Sequence, residues 1–224
     1  MARVYAGKTA EARSSERRRR FLDAGVKVIG ERGLADATVR GVCEAAGLST
    51  RFFYESFDDL EQLALAVYHE CVASAADSLF PAIASAGATQ REKADTAMRL
   101  LVGYLDEEPE RARIVFIESL GIGALSASRR QTTRLLAAFV MSIAQDVYPL
   151  SEVDPGLQVA ATLVAGGVAE LLASLLDGSL DLPRAEVIRH GADLLVAIGE
   201  AVSALAAGGA GAAATARPAT RRRG

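Results

Sequence analysis

TVRGVCEAAGLSTRFFYESFDD, residues 38 to 59, decides the fold, because it reads as two short helices joined by a tight turn. Val39, Val42, Cys43 and Ala46 recur at i, i+3, i+4 and i+7 as one apolar helical face, with Thr38 before them as an N-cap. The spacing predicts a helix over Val39 to Ala46. Gly47 follows, where a left-handed C-terminal turn needs a residue without a Cβ. Ser49 then caps a second helix, with Leu48 and Phe53 placed to form a hydrophobic staple across its start. If Phe53 and Phe57 pack inward, Thr50, Arg51 and Tyr54 face outward near the helix N-terminus, the part of a recognition helix that meets the major groove.

Working outward, Phe21, Gly25, Val28 and Ile29 make a first amphipathic helix that Gly33 ends. Downstream, Asp59 and Gln62 start a long helix at Leu60 with a capping-box pattern. AGLSTRFFYESF, residues 46 to 57, resembles the recognition-helix signature of the TetR family of transcriptional regulators, in register and without a gap. The strong resemblance covers residues 14 to about 65. It implies an N-terminal three-helix DNA-binding domain, a C-terminal helical domain for ligand binding and dimerisation, and a four-helix bundle built from the last two helices of each subunit. Glu55 and Asp58 stand where relatives often carry His or a basic residue, so those backbone contacts are not carried over.

Ala and Leu dominate a chain that is half hydrophobic and poor in aromatics, and nothing alternates with period two, so the class is all-α. Residues 1 to 58 hold eleven Lys and Arg against eight Asp and Glu, whereas residues 59 to 216 hold ten against twenty. A basic head on an acidic body suits nucleic-acid binding. The expected organisation is a disordered N-terminus over 1 to 13, the helix-turn-helix domain over 14 to 58, a helical effector-binding and dimerisation domain over 59 to 206, and a disordered low-complexity tail over 207 to 224. The long connecting helix is expected to run from Leu60 towards Leu79 and to close at Pro81, with further helices over Arg91 to Asp106, from Pro109, Ser126 to Val147, Pro155 to Asp177 and Pro183 to Ala206.

In the head, Arg51 either pairs bidentately with guanine O6 and N7 or touches phosphate. Thr38, Ser49 and Tyr54 set register through phosphate, although capping alone explains Thr38 and Ser49. Thr50 lies on the same face. Phe52 either packs on a thymine methyl or turns inward. Arg40 and the run Arg17 to Arg20 are candidates to supply further positive charge, and Arg221 to Arg223 either touch DNA or are solvated.

For the body, the resemblance implies an effector pocket. Tyr104, Phe116 and Phe139 are its candidate apolar lining, or plain core, and Glu118 its polar anchor, or a solvated acid. Val164, Val168, Leu171, Leu172 and Leu175, with Val187, Leu194, Leu195, Ile198 and Val202, offer an apolar homodimer surface. No catalytic constellation is legible: there is no phosphate loop, nucleophile elbow or zinc spacing, and the sequence pairs neither His69 nor His190 with a catalytic partner, so neither metal nor cofactor is expected. Cys43 and Cys71 read as reduced and structural. Leu157 to Leu176 is long enough to span a bilayer, but Glu170 inside it opposes insertion, and the first twenty residues lack the apolar run of a secretory signal. The expectation is a cytoplasmic, effector-responsive regulator, a repressor that binds an inverted-repeat operator as a dimer. The alternative is a DNA-binding protein whose body serves dimerisation alone.

Overall fold

The computed structural model describes residues 10–121, 123–148 and 154–215. Among them are nine α-helices and no strand: α1 Ala10–Arg32, α2 Val39–Ala46, α3 Thr50–Tyr54, α4 Leu60–Ala84, α5 Gln90–Glu107, α6 Pro109–Phe116, α7 Ala124–Val147, α8 Pro155–Asp177 and α9 Arg184–Thr215, with a 3₁₀ turn over Glu118–Leu120. The protein is all-α with an N-terminal helix-turn-helix.

Local chemistry sets the boundaries of α2. The Thr38 hydroxyl accepts from the Gly41 N–H at 3.0 Å, and Gly47 closes the helix at φ 62°. Asp59 caps α4 by accepting from the Gln62 N–H at 2.8 Å, while the Gln62 side chain reaches back one residue further than a capping box, to the Asp58 N–H. Phe21, Phe53 and Phe57 form the centre of the head, with edge-on ring contacts of 5.5 Å and 6.4 Å from Phe21. This core continues across the expected boundary at residue 58, since Leu63, Val67, Tyr68 and Cys71 of α4 and Ile114 of α6 belong to it. A second core joins α5, α8 and α9 through Met98, Val102, Leu172 and Val187, and small residues Ala137, Ala161 and Ala165 let α7 lie on α8.

Four elements differ from the sequence reading. α1 begins at Ala10, so residues 10 to 13, expected to be disordered, are helical; the run Ala-Glu-Ala-Arg consists of strong helix formers. α9 runs to Thr215, into the segment expected to be disordered from residue 207, continuing through Gly208, Gly209 and Gly211 to the alanines at 212 to 214. α4 passes through Pro81 and ends at Ala84: the proline ring sits in the last turn, Ile83 is buried, and the Ser85 N–H still donates to the Pro81 carbonyl at 3.0 Å. The helix from Pro109, expected to carry Ile117 and Leu120 and to end at Gly121 and Gly123, stops at Phe116 and tightens into the 3₁₀ turn. Residues 1 to 9, Pro149 and Arg221 to Arg223 lie outside the described residues.

Candidate nucleic-acid interface and effector cavity

Arg51 and Tyr54 stand on the outer face of α3, with 86% of the Arg51 side chain and 61% of Tyr54 accessible, and Thr38, Arg40, Ser49 and Thr50 are exposed beside them. The Ser49 hydroxyl makes no capping bond, in contrast to Thr38; its extended backbone alone starts α3 and leaves the oxygen free. Phe52 is half-buried and turned towards α1, where the Arg17 guanidinium lies 4.6 Å from its ring centre. Glu55 faces two arginines, Arg51 at 3.2 Å and Arg17 at 3.6 Å. The basic run of α1 is largely committed to packing: Arg18 covers the Phe57 ring, and Arg20 donates to the Ala46 carbonyl at 2.6 Å, holding the C-terminus of α2.

A cavity of ≈ 140 Å³ lies among α4, α5, α7, α8 and α9. Phe80 and Phe139 stack at 4.0 Å on its wall, and Ile143, Val164, Val168 and Val202 line it with them. Its polar lining residues are Gln90, Lys93 and Tyr148. The Gln90 amide donates to the Leu195 and Val196 carbonyls at 3.0 Å and 3.2 Å, tying α5 to α9. Lys93 is 7% exposed and donates to the Ala84 carbonyl at 2.6 Å, the end of α4. Burial raises the Tyr148 hydroxyl pKa, with the negative charge of Glu200 adding to it.

Of the four residues read as pocket candidates, Phe139 alone lines this cavity. Tyr104 is buried in the second core with its hydroxyl unbonded, and burial pushes its pKa up; Phe116 packs against the same core. Glu118 lies at the junction of head and body instead, accepting from the Leu34 N–H at 2.8 Å and from Arg113 at 3.1 Å, because the 3₁₀ turn breaks the phase of α6 and swings the side chain towards α1. Sequence reasoning missed Lys93, although a lone lysine at i, i+4 and i+8 with Ala97 and Leu101 marks a cation on an apolar stripe.

The apolar faces of α8 and α9 divide differently from the sequence reading. Leu172, Leu175, Val187 and Val202 are buried, and Val164, Val168 and Leu195 line the cavity, whereas Val159, Leu163, Leu194 and Leu205 are each more than 60% exposed. By length and composition both helices would suffice to cross a membrane. Here α8 packs on α7 through its alanines, and Glu170 sits 3.9 Å from Arg129 with two-thirds of its side chain exposed.

His69, Glu70 and Cys71 diverge, as neighbours on a helix do: His69 meets Ser128 at 3.2 Å, Glu70 meets Arg111 at 4.0 Å, and Cys71 is buried. Burial pushes the Cys71 thiol up to about 11, so it stays neutral and unreactive, and Cys43 is likewise buried and raised.

Residues 21–67 match the family model described as bacterial regulatory proteins, tetR family. No curated protein matches significantly. The fold is similar to that of the fatty acid degradation regulator FadR from Bacillus halodurans, at 18% identity and TM-score 0.65 over 84% of this chain and 96% of that one. FadR from Bacillus subtilis, solved in complex with stearoyl-CoA, is similar at 17% identity and TM-score 0.66 over 80% and 97%. A tetR-family regulator from Streptomyces coelicolor is similar at 16% identity and TM-score 0.70 over 85% and 83%.

Proposed function

We propose that this chain, whose residues 21–67 match the family model of the bacterial tetR-family regulators, is an effector-responsive repressor of that kind, cytoplasmic and not an enzyme, that binds an inverted-repeat operator as a homodimer. The observation that carries this reading is the apolar cavity, whose walls include Phe80 and Ile83 near the end of α4, the helix that begins directly after the head. A body that served dimerisation alone would have no need of an apolar hollow walled by five helices, which forfeits packing contacts. The stearoyl-CoA held by the similar FadR supports an effector with a substantial apolar part. Such a ligand tilts α4, moves the head and misaligns the two recognition helices, provided that it prefers the non-binding state. Linkage then requires the operator to weaken ligand binding by the same factor. Calorimetry of decanoyl compounds on the protein with and without operator duplex tests this: a ligand that binds the body and leaves operator affinity unchanged removes the regulatory role and leaves the dimerisation scaffold.

On the DNA face, Arg51 reads a base, Tyr54, Ser49, Thr50 and Thr38 hold phosphates, Arg40 adds charge, and Phe52 supports α3 against Arg17. Arg51→Ala is expected to lose about 1–3 kcal/mol of discrimination at one position per half-site, whereas Tyr54→Phe weakens all sequences alike. Selection on random duplexes with both variants checks this; identical preference profiles refute the assignment.

A further inference from the structure

The effector cavity combines two features that rarely coexist. Its walls are apolar throughout α7 and α8, yet the lining includes Lys93 on α5, a residue 93% withdrawn from solvent whose ammonium is held by the Ala84 carbonyl. A buried ammonium is normally matched by a carboxylate, because removing its hydration is costly. Among the described residues Lys93 has a single hydrogen bond, to the Ala84 carbonyl, and makes no ion pair. The adjacent acid, Glu92, is already engaged, accepting from the Ala88 and Thr89 N–H groups at 3.0 Å and from the Thr89 hydroxyl at 2.8 Å in the capping box of α5. One turn before Lys93 on the same face, the Gln90 amide lies against Gly199 together with the Tyr148 ring, so the polar lining gathers around the start of α5 and leaves the remainder of the hollow apolar.

We propose that the cavity takes an amphiphile with a free carboxylate, its chain lying among the α7 and α8 side chains and its carboxylate paired with the Lys93 ammonium. This rests on the effector reading above and specifies it. A carboxylate supplies the charge partner that the protein lacks, in a site where a charge-assisted bond is strong. Lys93 also holds the last turn of α4, so a ligand that draws its ammonium away loosens the far end of the helix that carries the head. Binding and release are thereby joined at one side chain.

Calorimetry on the full chain with decanoate, decanol and decanoyl-CoA, using the unmodified protein, Lys93→Met and Lys93→Arg, tests the proposal. Decanoate is expected to bind the unmodified protein about tenfold or more tighter than decanol; Lys93→Met abolishes that preference while keeping decanol affinity, and Lys93→Arg retains it. Equal affinity for decanoate and decanol, or binding of decanoyl-CoA alone, overturns the carboxylate assignment, while operator release by either of those compounds keeps the effector reading. Absence of binding by all three removes both. If Lys93→Met fails to fold, the ratio of decanoate to decanol on the unmodified protein decides the matter.

Discussion

Gly30→Ala is expected to lower stability by about 3 kcal/mol and to loosen the head from the body, a larger effect than one methyl group normally has. A Cβ at this position would lie 2.4 Å from the Glu110 Cβ, 2.7 Å from its Cα and 2.9 Å from its carbonyl oxygen. These atoms are fixed by the backbone of α6 and cannot rotate aside, so α1 must withdraw. The withdrawal strains the neighbouring tie between Glu118 and the Leu34 N–H. Gly103→Ala is the matched control: it lies within α5, and its Cβ would meet only the Glu107 carboxylate, at 3.8 Å. That substitution is expected to stabilise by about 1 kcal/mol through helix propensity. Urea unfolding of both variants measures the difference, and a Gly30→Ala protein as stable as the unmodified one would show that α1 and α6 do not pack this closely in solution.

Leu194→Glu is expected to leave the fold intact and to reduce operator affinity about 100-fold or more, because two linked heads gain that much from effective concentration. Leu194 is 63% exposed on α9, so the substitution removes little from the protomer's own core. With Leu163 of α8 at 68% exposure, it belongs to the apolar surface that we assign to the partner copy. A carboxylate on each side of a two-fold interface meets its own symmetry mate or a dry apolar surface, and either is unfavourable. Sedimentation and duplex titration, with circular dichroism as the check on folding, measure the outcome. A variant that remains dimeric with unchanged affinity places the interface elsewhere.

The sequence was most legible where structure is decided locally. α2 was readable to the residue because Thr38 and Gly47 act on atoms within one turn of themselves. The ends of α1, α4 and α9 were not: Ala10 to Arg13 prolong α1 with no stop signal, Pro81 blocks only the turn behind it, and α9 continues through glycines that composition reads as a stop. Phase was lost in α8 and α9 for another reason. A helix apolar on nearly every side has no stripe to orient it, so Leu172 and Leu163 look alike in sequence although one is buried and the other exposed. Glu118 was misplaced because a short 3₁₀ turn resets the angular count, and most of the cavity's lining went unread because hollows arise from how five helices fail to meet.

On the base-reading role proposed for Arg51, Glu55 has a consequence for how the protein searches a chromosome. Its carboxylate lies between Arg17 and Arg51, so the guanidinium that is to read a base has an occupant before DNA arrives. An exposed i, i+4 pair of this kind is worth about 0.5 kcal/mol, too little to resist two well-aligned bonds to guanine but comparable with one loose phosphate contact. Random duplex would therefore compete with an acid that the protein always carries, whereas the cognate sequence would displace it readily. Residence on the wrong sites would then shorten, sliding would become freer, and the discrimination between one operator and a genome of decoys would owe part of its margin to a residue that repels DNA.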